Sequence, residues 1–142
     1  MKKALLYRLF GAGKLPAKFA LTAAAEGVVL SDEGLRASVT YRNFHRPGSY
    51  SGLRKVGMVT SIAVTGQRVA AFNGENTIID VPFADERLRE IAFSVEANGA
   101  LLAAFDASLF HDDWSGSVEY RFQTDLASAI IEEIRSRAHP AG

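Results

Sequence analysis

From Gly27 to Phe122 the chain alternates apolar and polar positions in short runs, broken by Gly, Pro, Asn and Asp. That rhythm sends successive side chains to opposite faces of a strand. VVLSDEGLRASVTYRNF (28–44) reads as two strands joined by a turn at Ser31–Gly34, with Val39 and Tyr41 on one face and Thr40 and Arg42 on the other. RPGSYSG (46–52) reads as a turn-rich loop, because its residues favour turns over ladders. VGMVTSIAVT (56–65) is the next strand, and Thr65-Gly66-Gln67 a tight connection into RVAAF (68–72). TIIDVPF (77–83) is a further strand, which Pro82 confines to an edge or an end. ADERLRE (84–90) is polar and predicts a helical turn. In IAFSVEA (91–97) the residues Ile91, Phe93 and Val95 are expected to point inward. Asn98-Gly99 predicts a two-residue hairpin into ALLAAFD (100–106). After a second long loop, SLFHDDWSG (108–116), SVEYRF (117–122) alternates again, with Val118, Tyr120 and Phe122 on one side.

Both termini switch to the helical period. Leu126, Ile130 and Ile134 fall at i, i+4, i+8, and Thr124 or Asp125 can cap the first free amides, so a helix is expected over 125–138. Glu133 and Arg137 stand at i, i+4, and Arg135 and Arg137 suit the negative end of the helix dipole. Leu5, Leu6, Leu9 and Phe10 predict a short amphipathic helix, and Pro16 opens a second one that Gly27 ends. The chain therefore divides into an N-terminal helical extension (1–25) and a β domain with its closing helix (26–138). The expected fold is mainly β with α: about eight short antiparallel strands in a small, partly open barrel or sandwich closed by a C-terminal helix.

Composition narrows the function classes. A chain of 142 residues with 48% apolar residues can build one real core. It has no Cys, which excludes disulfides and thiol chemistry and fits a reducing compartment. The expected location is cytoplasmic, peripheral to a membrane at most. No stretch approaches the roughly 18–20 apolar residues of a membrane span. Lys2 and Lys3 before apolar residues resemble the start of a signal peptide, but the apolar run breaks at Arg8. GAGK (11–14) falls short of a phosphate loop, since Arg8 stands where the first Gly belongs and Leu15 follows the Lys.

Net charge is zero but unevenly spread. Residues 1–74 carry eleven Lys or Arg and three acids, and residues 75–142 carry five and thirteen, giving +8 against −8. No acid occurs between Gly34 and Gly74. The halves can neutralise each other within one fold, leave a basic end that attracts anions, or pair between copies as a homo-oligomer.

The order of elements resembles the pleckstrin-homology-like superfold in its bacterial, GRAM-like versions. SIAVTGQRVAAF resembles the family's apolar strand, Thr-x-x-Arg turn and apolar strand, matched by Thr65, Arg68 and Val69. IIDVPFADERLREIAFSVEANGALLAAFD resembles the next strand, polar connection and hairpin, and SVEYRFQTDLASAIIEEI the closing strand and helix. The resemblance covers roughly 26–138 and departs in one respect, since the fold needs seven strands. It implies a partly open barrel plugged by the helix at one end, with loops at the other. It also implies a binding module for acidic headgroups, peptides or partner domains rather than an enzyme.

The candidate site is the basic stretch 42–55. Arg42, Arg46, Arg54 and Lys55 with His45 can cradle an anion, because Arg presents a planar fork to phosphate or carboxylate, and Tyr50 can dip into an interface. The expected partner is an anionic lipid headgroup or an acidic protein surface. The competing expectation is a solvated loop balanced by the acidic half. Residues 1–14 can lie on a membrane, dock on the domain or mediate self-association. His111-Asp112-Asp113, with Asp106, invites a metal or acid–base reading, but the stretch reads better as a turn with Trp114 covering the barrel end. No catalytic residue, cofactor or metal is expected: no Gly-x-Ser-x-Gly elbow occurs, and His45, His111 and His139 are scattered. Nucleic acid is disfavoured by the zero net charge. The alternative function class is a small barrel that holds an apolar ligand, or a hydrolase built on one. The large residues Phe72, Phe93, Phe105 and Phe122 favour a filled interior instead.

Overall fold

A computed structural model of the chain describes residues 3–138, apart from the side chains of Leu6, Tyr7 and Phe10; Lys2 and His139 lie outside the described residues. Seven antiparallel strands form one curled, half-barrel sheet in the order β4-β3-β2-β1-β7-β6-β5. The strands are β1 (Val28–Arg46), β2 (Ser49–Thr65), β3 (Arg68–Asn73), β4 (Asn76–Pro82), β5 (Ala92–Val95), β6 (Leu101–Asp106) and β7 (Ser115–Phe122). Among the described residues three helices complete it: α1 (Leu5–Phe10), α2 (Ala17–Glu26) and α3 (Ala127–Ala138). Short 3-10 turns at Glu86–Glu90 and Ala107–Leu109 link β4 to β5 and β6 to β7.

The expected eighth strand does not exist. Ser31–Gly34 is no hairpin turn, since β1 runs unbroken for 19 residues and the irregularity between Asp32 and Leu35 is a bulge. A bulge bends a strand without reversing it. Asp32 uses the bend to tie three segments together, accepting from Thr124 Oγ1 at 2.7 Å and pairing with the Lys3 ammonium, while Thr124 Oγ1 accepts from the Leu126 amide at the start of α3. The expected loop 46–52 is also mostly strand, because only Pro47 and Gly48 separate β1 from β2. The Asn98-Gly99 signal marks a hairpin, but a three-residue one. Glu96 N donates to Ala100 O and Glu96 O accepts from Gly99 N, so Gly99 takes up the left-handed turn position at φ 90°.

The concave face carries the core. Leu35, Val64, Val69, Val81, Leu101 and Phe122 meet Ile130 and Ile134 of α3, which closes the half-barrel at one end. Glu133 and Arg137 of α3 pair at 2.9 Å. Phe72 is buried on the opposite face, where Phe19 and Ala23 of α2 cover it together with Ala63 and Ala70. Phe93 and Phe105 border the core half-buried, and Val95 is exposed, contrary to the inward expectation. α2 is anchored at its C-terminus, where Glu26 accepts three hydrogen bonds from Arg68 at 2.7–3.1 Å and one from Thr65 Oγ1 at 2.8 Å. Arg68 reaches on to Asp80 at 2.9 Å. Leu5 and Leu9 of α1 remain exposed.

Candidate functional site

The end of the half-barrel away from α3 is built from the distal halves of β1 and β2, the β3–β4 turn and the 107–114 segment. β1 and β2 pair from Val28 with Thr65 to Arg46 with Ser49, forming a long ribbon. On the β1 side, β7 backs the ribbon as far as His45. On the β2 side, pairing with β3 stops at Thr60, so among the described residues Ser49–Val59 has no paired strand there. Among the described residues no other backbone hydrogen bond reaches that edge.

A local irregularity decides which side chains share a face. Asn43 adopts φ 48°, a left-handed conformation Asn tolerates, and β1 slips against β7 between Arg42 and His45. Opposite it sits Gly116 at φ 99°, where an added Cβ would lie 2.4 Å from the Asn43 carbonyl oxygen. The bulge therefore requires glycine. Tyr41 and Phe44, three apart, consequently line one hollow with Arg46.

That hollow is an open groove of about 330 Å³ on the concave face. Val39, Tyr41, Phe44 and Trp114 form its floor, with Phe44 edge-on to Trp114 at 5.3 Å. Val56 and Met58 lie at its inner end, and Arg54, Ser51, Ser49 and Arg46 follow toward the tip. His111 stacks on Trp114 at 3.6 Å with rings 20° apart, so it props the floor. Asp106 caps its own 3-10 turn through the Ser108 amide. Among the described residues no three His, Asp or Glu side chains converge as metal ligands would.

The six residues singled out in the sequence are thus divided between two faces. Arg46 and Arg54 line the groove. Arg42 turns to the outer face, where its Nε donates to Glu119 at 3.1 Å. Burial opposes ionisation of Glu119, yet Arg121 and Arg42 outweigh it and hold the carboxyl below its usual range. Arg121 also meets Glu96 at 2.9 Å, so the acidic half neutralises this part of the basic half. His45 and Tyr50, opposite each other across the ribbon, pack with ring centres 4.3 Å apart and planes tilted by 38°. Tyr50 and Leu53 are 60% and 67% exposed. Among the described residues, Arg46, Arg54 and Lys55 form no ion pair. Trp114 was not readable as a site residue, because the bulge that brings Phe44 onto the groove face against it has no apolar signature. Asn43 and Gly116 were its only trace.

No helix in the described residues is long and apolar enough to cross a membrane. Set against known proteins, the chain matches no protein-family model, no curated protein and no solved structure.

Proposed function

We propose that the protein is a non-enzymatic binding module that engages an anionic partner through the distal β1–β2 ribbon. One observation carries this reading: among the described residues three cations, Arg46, Arg54 and Lys55, form no ion pair, on a stretch with no acid from Gly34 to Gly74. Elsewhere the fold pairs Arg42, Arg68, Arg87, Arg121 and Arg137; among the described residues Arg8, Arg36, Arg89 and Arg135 also form no ion pair, but they are scattered over separate elements and do not share one strand end. Leaving these three unsatisfied offers an outside anion charge-assisted hydrogen bonds. The exposed Leu53 and Tyr50 add apolar contact area on the outer face of the same ribbon tip. The pleckstrin-homology-like resemblance belongs to the same proposal and supports binding over catalysis, through the helix-plugged half-barrel with an open end.

The test is binding to two anionic probes, vesicles containing phosphatidylglycerol and polyglutamate, at low and physiological salt. The comparison is with neutral vesicles and with a triple Arg46, Arg54, Lys55→Glu variant. Arg42 is left intact because it anchors Glu119. Binding to either anionic probe that the variant loses supports the module. Absence of binding to both overturns it.

A further inference from the structure

We infer that the free edge of β2 receives an extended acidic segment of a protein partner, which joins the sheet as a strand beside Ser49–Val59. This rests on the anion-binding reading above and adds the partner's chemistry and the way it is held.

The first ground is the unfilled ladder. β3 ends at Asn73 opposite Thr60, so alternate N–H and C=O groups of eleven consecutive residues, Ser49–Val59, face solvent. At about 3.3 Å per residue this edge is about 36 Å long. Most strands have about five or six residues, and exposed edges are usually shorter still.

The second ground is the groove beside that edge. A strand added to β2 places every second side chain over the concave face, where the groove runs from Met58 to Ser49. The lining sorts by chemistry along this line. Val56 and Met58 at the inner end suit an apolar side chain, and Arg54 and Arg46 toward the tip suit carboxylates.

The third ground is spacing. Arg54 stands opposite Tyr41 and Arg46 opposite Ser49, five positions apart along the ribbon. That is about 16 Å of strand. A single phosphate or carboxylate does not span it, whereas two acidic side chains of one extended chain do. A second copy of this chain is a poor occupant. Edge-to-edge pairing would bring Arg54 and Lys55 against other cations, since the distal ribbon, from Leu35 to Val59, holds no acid. The charges that reject a like edge attract an acidic one.

The probe is an end-blocked ten-residue peptide of alternating Val and Glu. Its controls are the same peptide with every second amide N-methylated and a Val/Lys version. Amide hydrogen exchange is read over 49–59, and fluorescence is read at Trp114, the single tryptophan. The expected result is at least about tenfold slower exchange in 49–59 and a change in Trp114 emission with the Val/Glu peptide alone. Arg54→Glu should weaken that peptide about tenfold while leaving core exchange unchanged. Equal binding by the N-methylated peptide overturns strand addition and leaves the ribbon as an electrostatic surface. Protection that rises with protein concentration, without peptide, overturns it in favour of a second copy. Binding to anionic vesicles with no peptide binding overturns it in favour of a membrane. No binding to any anionic probe overturns this inference and the module reading together.

Discussion

At the α3 end, β1 and β2 lie between β7 and β3, carry buried residues such as Leu35, Ile62 and Val64, and are bound to helices on both faces. At the other end the same two strands have β7 on one side and solvent on the other. There they carry cations that form no ion pair among the described residues, and exposed Tyr50 and Leu53. At the first end Glu26 is matched with Arg68 and Thr65 and Asp32 with Thr124, while the buried Ser61 hydroxyl has no partner among the described residues. The lesson is that stability and recognition are separated along one hairpin, so substitutions should sort by position along it.

The largest contrast is in the core. Phe122 is fully buried between the sheet and α3. Phe122→Ala should cost about 3–5 kcal/mol, through lost burial and the cavity left behind. Leu53→Ala at the exposed end should fall within about 0.5 kcal/mol. Urea unfolding of both variants measures the difference, and similar losses would break the division.

The seam comes next. Gly116→Ala puts a Cβ against the Asn43 and Arg42 carbonyls at 2.4 and 2.6 Å in a left-handed conformation. About 2 kcal/mol should be lost. Because Trp114 is two residues away, its emission should shift as well. Loss of stability with unchanged emission would show that the bulge does not shape the groove.

The anchored end should also respond to acid. The hydrogen bonds from Arg68 hold the Glu26 carboxyl below its ordinary value of 4.5; burial opposes this and Thr65 assists it. A lowered native pKa adds stability that is present above the ordinary value and lost as pH falls through the native one. Arg68→Met should therefore cost about 1–2 kcal/mol at neutral pH. It should also flatten the decline in stability below about pH 4.5. Equal acid declines in wild type and variant would remove Glu26 from the account.

How much of this could be read in the sequence follows from range. Alternation located every strand, and i, i+4 spacing located α3, because both depend on neighbours along the chain. The bulge at Asp32–Leu35 was read as a turn because Ser-Asp-Glu-Gly has turn chemistry; only pairing with β2 on one side and Lys3 and Thr124 around it keeps the strand running. Pro47-Gly48 was read with its neighbours as a loop for the same reason: the ladder that extends Arg46 and Ser49 is a cross-strand property. The six basic and aromatic site residues were visible as a cluster. Their division between faces was not, since it depends on the slip at Asn43 against Gly116.

That division sets the smallest and most specific test, a comparison of Arg42→Glu with Arg54→Glu. The two residues are one position out of register across the ribbon, Arg42 opposite Leu53 and Arg54 opposite Tyr41. Arg42→Glu removes an exposed ion pair and sets a carboxylate beside Glu119, which should cost at most about 1 kcal/mol. Arg54→Glu meets no acid in the fold, so its stability should change by less than about 0.5 kcal/mol. Binding should rank the other way. Arg54 is free to meet an incoming anion, whereas Arg42 already serves Glu119, so Arg54→Glu should weaken polyglutamate binding more. Chemical denaturation and a binding titration on the same two proteins give both rankings. If Arg42→Glu were the more damaging to binding, the outer face would be the recognition surface and the groove face would lose its role.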